Sequence, residues 1–227
     1  MKHILIIGGS KGIGHATLKL LISSHKVTNF SRTAPELSHV NLSHHSLDVL
    51  EAEFPSLETV DGIIYCPGSI NLKPMNRFSI EDFKSDFDIN VIGAVRVIQH
   101  YLPQLKQSSS PSIVLFSTVA VKLGMPFHAS IAVAKAGIEG LTKTLAAEFS
   151  PHIRVNAISP TVTNTELAAG ILRNERIIES INERHPLKHF LNPEDVAHLA
   201  VYLLGDQSRS MTGQIIQLDS GIVSVKL

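Results

Sequence analysis

The sequence predicts an α/β protein of three layers, in which helices cover both faces of a doubly wound parallel sheet of seven strands. Short β-branched runs alternate along the whole chain with longer stretches whose apolar residues recur at spacings of three and four. A glycine-rich turn separates the first short run from the first helical stretch. The chain has 227 residues, 44% of them hydrophobic, which is enough to bury one core, so we expect a single domain over 1–227.

Each element follows from the local pattern. The predicted strands are Lys2–Ile7, Lys26–Phe30, His44–Asp48, Gly62–Tyr65, Ser112–Ser117, Arg154–Ile158 and Gln214–Leu218. The predicted helices are Gly12–Ser23, Ser79–Gln107, Phe127–Phe149 and Pro193–Leu204. Pro35 and small polar residues over 31–43 predict a crossover without a regular helix. The stretch Thr163–Phe190 has two short apolar faces, so we expect a helical flap over a substrate pocket.

Composition excludes several classes of protein. Twenty basic residues balance twenty acidic ones, which argues against nucleic acid or an anionic membrane as a partner. No apolar run approaches the roughly 20 residues that span a bilayer, and Ile4–Ile7 is too short for a signal peptide. The single cysteine, Cys66, excludes an internal disulfide, so we expect a cytoplasmic protein. The twelve histidines are scattered without metal-ligand spacing, and no metal site is expected.

The glycine-rich turn predicts an anion site. It consists of Ile7-Gly-Gly-Ser-Lys-Gly-Ile-Gly14, between the first strand and the first helix. The first amides of a helix lack intrahelical acceptors, and glycine lets a diphosphate approach them closely. The residues assigned to this site are Gly8, Ser10, Lys11, Gly12, Ile13 and Gly14.

The spacing of the first two glycines of this motif, Gly8 and Gly12, resembles that of the short-chain dehydrogenase/reductase family, and further motifs follow in the family's order. They are Asp48-Val49, Cys66-Pro67-Gly68, Asn90, Lys135, Arg154-Val-Asn-Ala-Ile-Ser-Pro160, Thr165, Met211-Thr-Gly-Gln214 and Asp219-Ser-Gly221. The resemblance implies a Rossmann-type fold that binds a nicotinamide dinucleotide and acts on a small carbonyl or alcohol. It implies cofactor contacts at Asp48, Val49, Cys66, Pro67, Gly68, Asn90, Lys135, Pro160, Val162 and Thr165. It also implies a homodimer or homotetramer built through the long helices Ser79–Gln107 and Phe127–Phe149.

The end of the second strand favours NADP(H) over NAD(H). Proteins that choose NAD commonly place a carboxylate there, which repels a 2′-phosphate. This chain has Ser31, Arg32 and Thr33 instead, with Lys11 as a second cation nearby. Arginine and hydroxyl groups form charge-assisted hydrogen bonds to phosphate. The alternative is that Arg32 and Lys11 are solvated surface charges.

The catalytic pattern of the family is interrupted. The resemblance implies a tyrosine four residues before Lys135 that donates and accepts the reaction's proton, yet Ile131 stands there and cannot carry one. Thr118 occupies the position of the family's serine and keeps its hydroxyl. Asn90 and Lys135 remain, so we assign them with Thr118 to catalysis.

Three accounts of this gap stay open. In the first, His128 replaces the phenol, because it shares a helix face with Ile131 and the helix dipole favours a neutral, proton-donating ring. In the second, Thr118, Ser130 or a water contacts the oxygen of a substrate that needs little acid help. In the third, the protein binds NADP(H) as a sensor without turnover. Retention of the lysine, asparagine and hydroxyl favours an oxidoreductase.

Overall fold

The computed structural model describes residues 1–226 and confirms the doubly wound, Rossmann-like α/β fold. Its described strands form one parallel seven-stranded sheet in the order β3-β2-β1-β4-β5-β6-β7. The strands are β1 His3–Ile7, β2 Lys26–Ser31, β3 Leu42–Ser46, β4 Gly62–Tyr65, β5 Ser112–Phe116, β6 Arg154–Pro160 and β7 Ile215–Leu218. The helices are α1 Gly12–Leu21, α2 Ile80–Phe87, α3 Gly93–Leu105, α4 Ala129–Phe149, α5 Glu175–Arg184 and α6 Pro193–Leu204. The strand order reverses between β1 and β4, where a doubly wound sheet opens its ligand crevice.

The burial of the strands explains their composition. Every residue of β1, β4 and β5 is buried, because helices cover both faces of the sheet. One apolar cluster packs α3 and α4 against the sheet around Tyr101, and the other packs α1 and α6 around Leu18. The polar strand β3 lies at the sheet edge, where it is only partly covered. The apolar central strands therefore bring their carboxyl ends together on a rigid base.

The predicted helix Ser79–Gln107 is wrong as a single α-helix. It consists of α2 and α3 joined by a π-helical turn at Asp88–Ile92. A wider turn inside a continuous helical run leaves the spacing of apolar residues nearly unchanged, so periodicity does not reveal it. Turns of this kind occur frequently at functional sites.

The remaining boundaries agree with the predictions to within two residues. β3 begins at Leu42, two residues before the predicted start, because a polar edge strand has no apolar alternation to set its limits. The crossover between β2 and β3 contains no helix, as predicted. α6 has the predicted bounds, with Pro193 in its first turn and reciprocal capping between Asn192 and Asp195.

The segment 163–190 carries helical structure beside the carboxyl ends of β6 and β7. It contains the short helical turn Glu166–Ala168 and α5, whose first turn is capped by the Asn174 side chain. An isolated bridge between Thr163 and Leu191 joins the two ends of the segment. In the described part of the chain, no helix combines the length and apolar character needed to cross a membrane.

Candidate active site

The glycine-rich turn after β1 has the backbone form that the sequence predicts. Gly8 and Gly12 adopt positive φ angles of 80° and 53°, which glycine reaches without steric cost. A Cβ on Gly14 would collide with the backbone carbonyl oxygen of Gly8. No side chain caps the amino end of α1. The first amides of α1 are therefore free to receive an anion.

The end of β2 lies beside this turn and is tied to it by Asn29. The Asn29 side chain accepts a hydrogen bond from the Gly9 amide (2.8 Å) and donates one to Ser31 Oγ (2.8 Å). Ser31 Oγ in turn donates to the carbonyl oxygen of Thr33 (2.8 Å), so this hydroxyl is engaged within the loop. Arg32 and Thr33 are exposed, and Arg32 forms no ion pair within residues 1–226. Among the residues at the end of β2 that were predicted to bind the 2′-phosphate, Arg32 is therefore the one with an available positive charge.

Lys11 is engaged with the segment 163–190, which the sequence did not predict. Its ammonium forms an ion pair with Glu166, in the short helical turn after β6. A Cβ on the adjacent Gly12 would lie 3.1 Å from the Thr165 side chain. The glycine turn and the segment after β6 are therefore in direct contact across the mouth of the crevice.

Lys135 lies on α4 with its ammonium in the interior. Nζ donates to the carbonyl oxygen of Phe116, the last residue of β5, at 2.9 Å. Burial lowers the pKa of Lys135 from its ordinary value of 10.5 to about 8. Burial also raises the pKa of the neighbouring Cys66 thiol to about 12, so this cysteine is a packed thiol and not a nucleophile.

Asn90 lies in the π-helical turn and is almost fully buried. Its Nδ2 donates to the carbonyl oxygen of Asp86 (2.8 Å) and to Ser69 Oγ (3.0 Å). Ser69 Oγ donates to a carboxylate oxygen of the buried Asp86 (2.6 Å), which fixes the orientation of both side chains. Asn90 Oδ1 is buried and has no partner. An unpartnered buried acceptor marks a place where a ligand atom or a water belongs.

Gly68 leaves a space between Asn90 and Lys135. A Cβ at Gly68 would lie 3.1 Å from Asn90 Oδ1 and 3.5 Å from Lys135 Nζ. The two polar atoms therefore face the same point, where a side chain on residue 68 would intrude. The structure thus brings together three predicted site residues: Gly68 after β4, Asn90 in the π-helical turn and Lys135 on α4.

His128 immediately precedes α4 and borders the same cavity. Its Nδ1 lies 2.7 Å from the carbonyl oxygen of Pro126, a contact that requires a proton on Nδ1. The neutral ring then carries its lone pair on Nε2 and accepts a proton there. The prediction that a neutral His128 donates is therefore wrong for Nε2, which donates only from the imidazolium.

Thr118 and Ser130 differ in what they reach. Thr118 follows β5 and borders the cavity, with its Oγ1 accepting a long hydrogen bond from the Ala120 amide (3.4 Å). Ser130 is buried and donates to the carbonyl oxygen of Asp82 on α2 (3.3 Å), away from the residues that line the cavity. The suggestion that Ser130 contacts substrate is therefore wrong, and Thr118 is the hydroxyl that remains available.

A cavity of about 220 Å³ joins these groups at the carboxyl ends of the strands. Its walls are mainly apolar, and none of the described residues that line it is an aspartate or glutamate. Ile131 is 5% exposed and contributes to the wall, four residues before Lys135. Cofactor positions predicted from the sequence also border it: Ile13, Cys66, Gly68, Pro160, Val162 and Thr165. Asp48 and Val49 lie outside this lining; an Asp48 side-chain oxygen accepts from the Leu50 amide (2.9 Å), and Val49 is buried.

The sequence did not reveal two groups in the cavity, His185 and Arg184. His185 is 2% exposed, with Nδ1 2.7 Å from the carbonyl oxygen of Ile181 and Nε2 2.8 Å from Thr161 Oγ1. Arg184 is the last residue of α5 and also lines the cavity. Neither belongs to a sequence motif, because both reach the cavity only through the way the segment 163–190 folds back over β6. In the portion that the structure describes, no three histidine, cysteine or acidic residues cluster in a way that could hold a metal ion.

Comparison with known proteins identifies the family. The family model described as Enoyl-(Acyl carrier protein) reductase matches residues 44–223. The chain is 29% identical to a 2,5-dichloro-2,5-cyclohexadiene-1,4-diol dehydrogenase of Sphingobium indicum, over 99% of this chain and 98% of that protein. It is 28% identical to carbonyl reductase [NADPH] 2 of Sus scrofa, over 97% of this chain and 96% of that protein.

Solved structures agree with these relatives. A short-chain dehydrogenase family protein of Francisella tularensis superposes with a TM-score of 0.89 at 26% identity, covering 99% of this chain and 100% of that one. A 4-hydroxyisoleucine dehydrogenase mutant complexed with NADH and succinate gives a TM-score of 0.90 at 26% identity, with both chains fully covered. The chain belongs to the short-chain dehydrogenase/reductase family of oxidoreductases, a family that binds nicotinamide cofactors.

The residues of this chain fit such a cofactor. The uncapped amides of α1 offer donors to a diphosphate after β1, and the absence of a Cβ on Gly14 permits the close approach to Gly8 that shapes this turn. The unpartnered Asn90 Oδ1 and the ammonium of Lys135 supply polar contacts at the other end of the crevice. The two ends lie on either side of the reversal in strand order, which is the usual position of a dinucleotide.

Proposed function

We propose that this protein is an NADP(H)-dependent oxidoreductase that interconverts a small carbonyl compound and its alcohol at an atypical active site. The observation that carries the proposal is the convergence of Lys135 and Asn90 on one open point beside Gly68. That point borders an apolar cavity next to the glycine turn. Asn90 Oδ1 is buried there without a partner, which is costly in a protein interior, so its retention at this point favours a bound ligand.

The preference for the phosphorylated cofactor rests on the end of β2. Arg32 is exposed there and has no ion-pair partner among residues 1–226, and Thr33 is the exposed hydroxyl beside it. The relatives include a carbonyl reductase named for NADPH and a dehydrogenase complexed with NADH, so family membership alone does not decide. An arginine at this place stabilises a 2′-phosphate by a charge-assisted, bidentate contact.

When bound, the nicotinamide supplies or accepts the hydride. The chain's own residues act on the oxygen of the substrate. Thr118 has a hydroxyl proton with no protein acceptor in the described hydrogen-bond network, so it donates to that oxygen. The lowered pKa of Lys135, about 8, lets this group change protonation state close to neutral pH.

His128 supplies the proton in reduction when its ring is the imidazolium, since Nδ1 is held by Pro126 and Nε2 is then a donor. Ile131 excludes water from the reacting centre and takes no part in proton transfer. General acid help typically contributes 10²–10⁴-fold, so we expect slower turnover than an enzyme with a phenol at this position achieves. Substrates with an activated acceptor suit such a site best.

Other features extend the same proposal. We expect residues 1–227 to act as one domain, with 163–190 as a flap that covers the substrate. The contact of Lys11 with Glu166 supports a flap that closes on the glycine turn. We expect a homodimer or homotetramer formed through α2, α3 and α4, in the cytoplasm.

The test follows NADPH consumption with a panel of small aldehydes, ketones and enones. Wild type should turn over at least one of them, and Lys135→Ala should lose turnover, whereas the exposed Lys143→Ala on the same helix should not. Arg32→Ala should weaken NADPH binding at least tenfold and NADH binding little.

Tight NADPH binding with no turnover on any compound would favour the alternative, a regulatory NADP(H)-binding sensor, for which Ile131 is the supporting observation. Turnover that survives Lys135→Ala would show that this constellation is not the reacting centre. Equal losses of NADPH and NADH in Arg32→Ala would remove the basis for choosing the phosphorylated cofactor.

A further inference from the structure

The cavity has an uneven distribution of charge. Lys135 and Arg184 are the lysine and arginine that line it, and no carboxylate faces them from the described wall. This imbalance is local, because the whole chain carries twenty basic and twenty acidic residues. A cavity with cationic groups and no acidic ones attracts anions.

Arg184 has no partner inside the protein. Its guanidinium forms no ion pair within 4 Å and no hydrogen bond in the residues that the structure describes. The preceding Glu183 is paired with Lys188 at 3.0 Å and is therefore not available to Arg184. No acidic residue stands three or four positions earlier on α5, where a helical partner would lie.

The other cations at the site are already engaged. Lys135 Nζ donates to the carbonyl oxygen of Phe116 and faces the point beside Gly68. Lys11 is paired with Glu166 at the mouth of the crevice. The Arg184 guanidinium is therefore the positive charge left for the substrate.

The residues around Arg184 indicate which kind of anion this cavity would bind. Apolar side chains line the same cavity as Arg184, among them Leu167, Ile171, Ile181 and Ile222. Arg184 is exposed, and a neutral ligand that covered its guanidinium would remove hydration water without supplying a compensating hydrogen bond. A carboxylate would form two parallel hydrogen bonds with it.

The position of Arg184 is held by its neighbour. His185 is buried, and both of its ring nitrogens are engaged, one with the Ile181 carbonyl oxygen and the other with Thr161 Oγ1 at the end of β6. These contacts fix the carboxyl end of α5 against the sheet. A charged group on a rigid support loses less entropy when it binds a ligand.

From these contacts we propose that the substrate is a small carboxylic acid with an apolar body, and that Arg184 binds its carboxylate. The proposal rests on the proposed function, of which it names the substrate class. One exposed guanidinium beside apolar side chains suits a monoanion, whereas a phosphate dianion would need a second cation beside it. The apolar body lies along the wall, and the reacting carbon lies toward Lys135.

The test measures binding and does not require turnover. The probes are 3-methylbutanoate and its neutral isostere 3-methylbutanamide, together with benzoate and benzamide. Each is titrated into protein saturated with NADP⁺ and followed by ligand-observed NMR. The variants are Arg184→Gln and, as a matched control, Arg173→Gln, which changes an exposed arginine of the same segment outside the cavity wall.

We expect at least one acid to bind tenfold or more tightly than its amide. Arg184→Gln should remove this difference by weakening the acid alone, and Arg173→Gln should preserve it. Equal binding of acid and amide, no binding of either acid at 10 mM, or an equal loss in both variants would overturn the proposal.

Failure of the proposed function is recognised separately. NADP⁺ binding is measured first, and the acid titrations are repeated without cofactor. Failure of NADP⁺ to bind would contradict the proposed function, while an acid preference that depends on Arg184 would still support the carboxylate site. Normal NADP⁺ binding without any acid preference would contradict the carboxylate site alone.

Discussion

Replacement of Lys135 by methionine should stabilise the protein while it abolishes turnover. Burial lowers the pKa of Lys135 from 10.5 to about 8 in the folded state. At about 1.36 kcal/mol per pKa unit, this shift corresponds to a penalty of about 3 kcal/mol at pH 7. Methionine removes that penalty and fills a similar volume, but it loses the hydrogen bond to the Phe116 carbonyl oxygen, worth about 1–2 kcal/mol. The net expected gain is about 1–2 kcal/mol.

The effect has a definite dependence on pH. The folded-state pKa is below the unfolded-state one, so the unfolded chain binds more protons than the folded protein between pH 8 and 10.5. The penalty is complete below pH 8 and disappears as the pH rises through 10.5. Urea unfolding at pH 7 and at pH 10.5 measures it, since the advantage of Lys135→Met should shrink at the higher pH.

A control on the same helix separates the effect of removing a buried ammonium from the effect of any lysine-to-methionine substitution on α4. Lys143 is exposed on α4, so Lys143→Met should change the free energy of unfolding by less than about 0.5 kcal/mol at either pH. If Lys135→Met destabilises the protein at pH 7, or its advantage is independent of pH, then the ammonium of Lys135 is not buried at a cost and our reasoning about this site is refuted.

Three further perturbations test other parts of the site. Gly14→Ala places a Cβ against the Gly8 carbonyl oxygen, so it should weaken NADPH binding at least tenfold by calorimetry. Gly124→Ala adds a Cβ in open space and should leave the affinity unchanged. Equal affinities of the two variants would contradict a role of the glycine turn in cofactor binding. Asp86→Asn should lower kcat about tenfold with little change in cofactor affinity, because Asp86 orients Ser69 and, through it, Asn90. Asp88 is exposed, so the control Asp88→Asn should keep full activity. His128→Gln should slow carbonyl reduction at least tenfold with little change in cofactor affinity, and an unchanged rate would exclude His128 as the proton donor.

Sequence patterns predicted the fold because most strands are buried on both faces and most helices carry one apolar face. β1, β4 and β5 are wholly buried, so they occur as uninterrupted apolar runs that periodicity detects. The exceptions are places where burial is partial or the helix geometry changes. The edge strand β3 and the π-helical turn Asp88–Ile92 are such places, and both were predicted inaccurately.

The candidate site was predicted where motifs are local in sequence. Gly68, Asn90 and Lys135 were each assigned from short motifs, and the fold brings them to one point. Arg184, His185 and the pairing of Lys11 with Glu166 were not predicted, because these contacts join residues far apart in the chain. The orientation of side chains could not be predicted either, because sequence spacing does not reveal that Ser130 faces α2 or that His128 Nδ1 contacts Pro126.

Direct titration of the folded protein with NADPH tests the central claim, that the turn after β1 grips the diphosphate of a nicotinamide cofactor. Calorimetry should give one site per chain with micromolar affinity, weaker binding of NADH, and a large loss in Gly14→Ala. Absence of heat with either cofactor at millimolar concentration, in protein whose fold is verified by circular dichroism, would contradict the account.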